Sequence, residues 1–423
     1  MAVAYSGGRD STALLHASAV AAQEAGIEVL ALHIHHGLSV HADAWLAHCE
    51  SQCAAWADAG LPIRFQSRRL SGSPSAGQSV EAWARVGRFE ALHEMCLAAE
   101  VDLLLLAQHR RDQAETLLLQ ALRGGGVAGL ASMPALQWRE GICWARPWLA
   151  QPREAIEAYL VRHGLSHIDD DSNTDPRFAR NRLRLHVWPQ LREAFPQAEA
   201  SLAQSANWAQ EALALQAEMA QLDLASLCDV AGLDLATLRQ LSPARASNAL
   251  RAWLLMQAGR PAPASLIERL THEAMPADVG TWPCGDGTVH LYRGRLQWTK
   301  TCELRVGPSH SVNLASPGLH PQSGWGGQWQ VQTTLESGVS AGLLSELVQR
   351  PRIGGERFQR APKTTPRSLK KAWQEAGVPA WRRHGPLLFW REHLVFVPGL
   401  GLDARLIAEP GQAQFSLAWL PLS

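Results

Sequence analysis

Short apolar runs alternate with amphipathic stretches over the first 190 or so residues. Residues 2–5 read as a short buried strand, 27–35 as a second, 61–66 as a third and 102–107 as a fourth. The last is a continuous apolar run, as expected of a strand covered on both faces. Helical periodicity falls between them at about 10–25, 42–59 and 79–99, and a Ser, Gly and Pro-rich loop occupies 71–77. This alternation predicts an α/β fold, a doubly wound and mainly parallel sheet of Rossmann-like type. From about 194 to 227 the pattern becomes long, helical and rich in Ala, Leu and Gln. Two further helical patterns lie near 243–257 and 263–274, with short strands near 289–298. Residues 301–345 carry weak signals. A last module from about 349 has Pro and Gly punctuation and short strands such as 394–397. The expected domains are 1–192, a helical segment 193–300, and a small α+β region 301–423 with its core at about 349–423.

Composition narrows the class. Lys plus Arg and Asp plus Glu are 39 each, so net charge points to no partner, and 46% hydrophobic residues is ordinary for a globular chain. No run reaches the roughly 18 to 20 apolar residues that cross a bilayer, and no leader pattern opens the chain. A cytoplasmic protein with no membrane association is expected. Seven scattered cysteines (Cys49, Cys53, Cys96, Cys143, Cys228, Cys284, Cys302) suit free thiols. Cys49, Cys53 and His48 could share a metal on one helix face, but no second pair completes such a site.

Charge distribution is less even than its sum. Between 350 and 391 there are eleven Lys or Arg against Glu356 and Glu375, a local excess of nine. Between 173 and 192, Arg177, Arg180, Arg182, Arg184 and Arg192 face Asp175 alone. Both clusters suit phosphate or RNA contact, with a solvated basic face as the plain alternative.

The candidate chemistry begins at the first strand-to-helix turn. Ser6, Gly7, Gly8, Arg9, Asp10 and Ser11 place two glycines where a backbone approaches phosphate closely. The turn and helix N-terminus offer aligned N–H donors, and Ser6, Ser11 and Thr12 add hydroxyls. Asp10 is placed to hold Mg²⁺ on a bound polyphosphate. The loop is not Gly-x-x-x-x-Gly-Lys-Ser/Thr, so γ-phosphate transfer is not implied.

In these residues the sequence resembles the PP-loop ATP pyrophosphatases, which split ATP into AMP and pyrophosphate while activating a substrate. Further segments are similar to the lysidine synthase branch of that family. They are His33-Ile34-His35-His36-Gly37-Leu38-Ser39 at the second strand end, and Glu81-Ala82-Trp83-Ala84-Arg85 with Arg88 on one helix face. Gln108-His109-Arg110-Arg111-Asp112-Gln113-Ala114-Glu115-Thr116 follows the fourth strand, with Arg111 where the family has a first Asp. Arg123-Gly124-Gly125-Gly126, Arg146-Pro147, Asp170-Asp171-Ser172-Asn173 and Arg180-Asn181-Arg182-Leu183-Arg184 continue the match. Toward the end, Arg352 to Phe358 and Arg367-Ser368-Leu369-Lys370-Lys371 resemble that branch's C-terminal domain, as does Gly377 to Trp381.

The resemblance implies ATP and Mg²⁺ as cofactors, and free L-lysine and the isoleucine tRNA with a CAU anticodon as substrates. Lysine would join carbon 2 of the wobble cytidine through an adenylated intermediate. Ser6 to Ser11, His33 and His35 would bind the nucleotide, and Asp10 and Asp112 the metal. Asp10, Asp112 and Glu115 would be catalytic, the last two holding Mg²⁺ or the lysine ammonium, without a choice of base. Glu81, Arg85, Arg123, Arg180, Asn181, Arg182, Arg184, Arg357, Arg367, Lys370 and Lys371 would meet lysine or tRNA. A longer lead before the first strand is also implied, and a homodimer stays open. The rivals are a tRNA thiolase, disfavoured because no Cys-x-x-Cys is present, an amidotransferase-type synthetase, and a non-catalytic tRNA-binding protein.

Overall fold

The computed structural model describes residues 1–37, 39–72, 80–169, 175–301, 306–409 and 413–421, with the side chain of Glu81 excepted. The chain divides into two compact units, Met1–Glu218 and Met219–Ser423.

In the first unit the elements are β1 (Ala2–Ala4), α1 (Arg9–Ala25), β2 (Val29–His35), α2 (Ala42–Asp58), β3 (Ile63–Arg69), α3 (Val80–Ala98), β4 (Leu103–Leu105), α4 (Arg110–Leu122) and α5 (Val127–Leu130). They continue with β5 (Leu136–Arg139), β6 (Ile142–Ala145), α6 (Arg153–His163), α7 (Ala179–Arg182) and α8 (Trp188–Ala194), and α9 (Ala198–Leu227) runs across the division between the units. The sheet order is β3-β2-β1-β4-β6-β5, parallel except for β5 against β6. The doubly wound sheet expected from the alternation is therefore present, and the hairpin of β5 and β6 adds an edge that the apolar pattern did not reveal.

Alternation along the strands builds two cores. Ala2, Leu30, Leu32, Leu104 and Trp144 face α3, packing on Leu92, Met95 and Cys96. Val3, Ala31 and Val29 face the other way, against Leu14, Leu15 and Ala19 of α1 and Cys49 and Cys53 of α2. Each fully buried Leu or Ile contributes about 1.5–3 kcal/mol of transfer free energy, and that fixes the strand register. Gly26 ends α1 in the left-handed region (φ 67°), its N–H returning to Ala22 and Gln23.

The order in which strands are added reverses between the parallel β1 and β4, the switch point where open α/β sheets bind ligands beyond their carboxyl ends. The Ser6 to Ser11 loop leaves β1 at this crevice, and Gln108 and His109 leave β4. Between α7 and α8 the backbone makes a π-helical turn, Leu183–Val187.

The second unit holds the expected helices at Pro243–Ala258 and Ala264–Arg269. They cover a five-stranded antiparallel sheet that includes Val279–Cys284, Gly287–Tyr292 and Arg295–Lys300. The segment with weak signals supplies strands His310–Val312, Gly318–Gln322 and Gly327–Thr334. Gly327–Thr334 pairs along its whole length with Gln414–Pro421. Trp329 and Val331 thereby enter one core with Leu388, Val395 and Leu417.

Candidate functional site

The glycine loop is held from below. Gly7 has φ 81°, and a Cβ built there would lie 2.6 Å from Ile168 Cδ1 and 2.7 Å from Cys49 Sγ. Ile168 N donates to Gly7 O at 2.9 Å, tying the loop to the strand-like segment after α6. Ser11 Oγ donates to Gly8 O at 2.9 Å, and Ser6 and Ser11 hydroxyls lie 2.9 Å apart. Thr12 differs from expectation: it is fully buried, and its Oγ1 donates to Gly7 O at 3.1 Å, so its hydroxyl shapes the loop rather than facing a ligand. Arg9 also turns aside, its Nη1 donating to Glu157 Oε1 at 2.9 Å beside Arg153 at 3.0 Å. The backbone N–H groups at the start of the 17-residue α1 are left as the anion donors.

The carboxylates face this loop across His109. His109 Nε2 lies 3.7 Å from Asp10 Oδ2 and 3.5 Å from Asp112 Oδ2. Burial opposes charge on Asp10, but His109 and then Arg9 outweigh it and hold its carboxyl below the usual range. His109 is buried too, yet Asp10, Asp112 and Glu115 raise its pKa above the usual value. Asp112 Oδ2 accepts from His109 N at 3.2 Å, capping α4, and its Oδ1 accepts from Arg184 Nη2 at 2.9 Å. Glu115 is fully buried; Arg184 Nε donates to its Oε1 at 2.7 Å, and Arg180 Nε lies 3.8 Å from Oε2.

Among the described residues no group of three or more His, Cys, Asp or Glu forms a complete metal-ligand set. Asp10 Oδ1 is buried without a hydrogen-bond partner. Mg²⁺ commonly takes one or two carboxylates and completes its shell with phosphate oxygens and water, so this donor fits it.

At the end of β2, His33 Nδ1 donates to Tyr5 O at 3.0 Å and His35 Nε2 to Asp43 Oδ1 at 3.1 Å, leaving His35 Nδ1 buried and unpartnered. Burial, Arg88 and the neighbouring histidines push His36 down to about 4. Arg180 Nη2 donates to Thr116 Oγ1 at 2.8 Å. Asn181 Nδ2 donates to Asp175 O at 2.9 Å, whereas Arg182 bonds the carbonyls of Pro176 and Arg177. Arg123 is exposed at the end of α4. Leu38, Asp170 to Asn173 and the Glu81 side chain lie outside the described residues. In the second unit Arg357 Nη2 donates to Pro366 O at 3.0 Å, and Arg367, Lys370 and Lys371 are exposed.

Arg111, in place of an expected Asp, leaves the crevice. Its Nε lies 3.6 Å from Glu199 Oε2 and its guanidinium 5.1 Å over the Trp188 ring. Arg110 bonds the other Glu199 oxygen at 2.9 Å. Glu199 was not singled out from the sequence, because an acid 89 residues away carries no local signal.

A parallel sheet with a glycine loop and a carboxylate cluster at its switch point defines a nucleotide-activating domain, and the PP-loop domain family matches residues 1–191. The TilS substrate binding domain matches 233–297 and the TilS substrate C-terminal domain 347–419. The chain belongs to the tRNA(Ile)-lysidine synthase family. It is 41% identical to the tRNA(Ile)-lysidine synthase of Ralstonia nicotianae, over 100% of this chain and 92% of the relative. Those of Burkholderia pseudomallei (38% identical, 95% and 89% covered) and Salmonella typhi (36%, 98% and 95%) are similar over comparable lengths. The chain is thus a ligase that modifies tRNA in an ATP-dependent reaction. Among the described residues no helix is long and apolar enough to cross a membrane.

Proposed function

We propose that the enzyme joins free L-lysine to carbon 2 of the wobble cytidine in the CAU anticodon of isoleucine tRNA, in the cytoplasm. The cytidine carbonyl oxygen attacks the α-phosphate of ATP and pyrophosphate leaves. The lysine ε-amine then attacks carbon 2, and AMP departs with the oxygen. The observation that carries this reading is the meeting of the Ser6 to Ser11 loop with Asp112 and Glu115 at one crevice.

Each residue has a task that its surroundings support. The N–H groups of α1 stabilise charge on the departing pyrophosphate, and Ser6 holds the turn in shape through Ser11. Asp10 and Asp112 would hold Mg²⁺, which supplies further charge neutralisation there. His33 and His35 line the nucleotide side, His35 Nδ1 being unpartnered. Asp112 and Glu115 already hold Arg184, so an incoming ammonium shares these acids rather than filling a vacant pair, and Glu115 Oε2 is the acceptor left without a hydrogen bond. One of the two takes the ammonium proton before attack. Arg85, Arg123, Arg180, Asn181, Arg182 and Arg184, with Glu81, serve the tRNA and lysine. Arg357, Arg367, Lys370 and Lys371 hold tRNA phosphates.

The test is incubation with transcribed isoleucine tRNA, ATP, Mg²⁺ and labelled lysine. Incorporation that vanishes in Asp10→Ala supports the reading; ATP-dependent thiolation, or no incorporation by the unaltered protein, rejects it.

A further inference from the structure

A second cleft in the catalytic unit, of about 510 Å³, is lined by Arg85, Phe89, Glu90, Met133, Arg139 and Arg146 among others. Arg146 follows β6 directly, and Ala145 of β6 pairs in register with Leu105 of β4. Arg146 therefore leaves the sheet at the same edge as His109. Gln113, the neighbour of Asp112, donates Nε2 to Met133 O at 2.9 Å and accepts from Met133 N at 3.1 Å. One wall of the cleft is thus fastened to the helix that carries the carboxylates.

Its lining carries three arginines and one carboxylate. Arg139 lies 5.4 Å over both the Phe89 and the Trp144 rings, and Arg85 lies 5.1 Å over Phe89. The ring faces attract the guanidinium of Arg139. Arg146 has no such support. It is 6% exposed, donates Nη1 to Pro134 O at 2.9 Å, and its buried Nε has no hydrogen-bond partner. Burial, then Arg139 and Arg85, pushes its guanidinium down to about 10, so it stays charged at neutral pH among like charges. Holding the buried Arg146 cation beside Arg139 costs free energy that an entering anion offsets. Glu90 is the carboxylate among the lining residues. The volume is sufficient for one nucleotide unit.

We infer that this cleft binds a phosphodiester of single-stranded RNA beside the base presented for adenylation, with Arg139 and Arg146 on the phosphate. The inference rests on the tRNA-modifying reading of the neighbouring crevice. Guanidinium planes also offer stacking faces to an unpaired base, which duplex RNA would not present.

Arg139 is the member to alter, because Arg146 is buried. With the full-length protein, affinity for the transcribed tRNA is measured from about 50 to 200 mM salt, and ATP affinity is measured without RNA. Arg139→Gln is expected to weaken tRNA binding about tenfold and to flatten the slope of log affinity against log salt by about one. Arg139→Lys should keep most of that slope, while ATP affinity and melting temperature stay unchanged in both variants. Unchanged tRNA affinity and slope in Arg139→Gln would overturn the inference. So would a loss of ATP affinity in place of tRNA affinity, which would make the cleft a triphosphate site. Equal losses in Gln and Lys variants with lowered melting would overturn it too, by showing ring packing alone. Lysine incorporation by the unaltered protein is scored separately. If it fails while Arg139→Gln still weakens tRNA binding, the reaction is misassigned and the cleft stands.

Discussion

Arg184 Nε donates to Glu115 Oε1 at 2.7 Å, so an acid with no solvent exposure is balanced by a side chain 69 residues further on. Removing one member of a buried pair leaves an uncompensated charge, at about 3–5 kcal/mol. Arg184→Met should lower the stability of the catalytic unit by roughly 3 kcal/mol in urea unfolding. The double variant with Glu115→Gln should recover more than half of that loss. Equal losses in the single and double variants would refute the pairing.

Gly7 and Gly8 are adjacent but not equivalent. A side chain at Gly7 meets Ile168 and Cys49 at φ 81°, whereas Gly8 is extended and its nearest neighbour would be Ser6 Oγ at 3.4 Å. Gly7→Ala is expected to cost at least about 1–2 kcal/mol and to lower ATP affinity tenfold or more. Gly8→Ala should melt close to the unaltered protein. Calorimetry of the two variants checks the contrast.

Restoring an acid at position 111 should not improve the enzyme. Arg111→Asp sets a carboxylate against Glu199 and strips Trp188 of its guanidinium. Lowered melting without a gain in the rate of pyrophosphate release is the expected result; a faster enzyme would show that Arg111 belongs to the crevice.

His36 gives a pH signature. Its pKa is pushed from an ordinary 6.5 to about 4, chiefly by burial. The unfolded chain binds its proton first, so stability falls as pH drops from about 6.5 toward 4. His109 has the opposite sign: its raised pKa adds stability below 6.5 that is lost as pH rises through the folded value. His36→Gln should flatten the acid limb, and His109→Gln the limb above 6.5, in unfolding followed against pH.

The sheet was legible because β2 and β4 are apolar on both faces and helical periods separate them. The crevice was legible because Gly7, His35 and His109 all stand at strand ends. Arg184 could be read as one of five basic residues but not as the partner of Glu115, since long-range ion pairs leave no periodic mark. The strands between 310 and 340 escaped notice for a related reason. They are short, antiparallel and half-exposed, and Trp329 finds its core partners only through pairing with Gln414–Pro421. Arg139 and Arg146 drew no attention as a pair because the β5–β6 hairpin that presents them had no strong pattern.

The π-helical turn at Leu183–Val187 gives the catalytic unit a slack residue at one place. It lodges one residue more than an α-turn needs, between Arg184, which reaches Asp112 and Glu115, and Trp188, which lies beneath Arg111. Such a turn sweeps about the same angle as an α-turn with one residue fewer, so deleting the exposed Leu185 would let the segment relax to an α-helix and leave α8 facing the same way. The same deletion inside the regular α4 would turn every later side chain of that helix by about 100°.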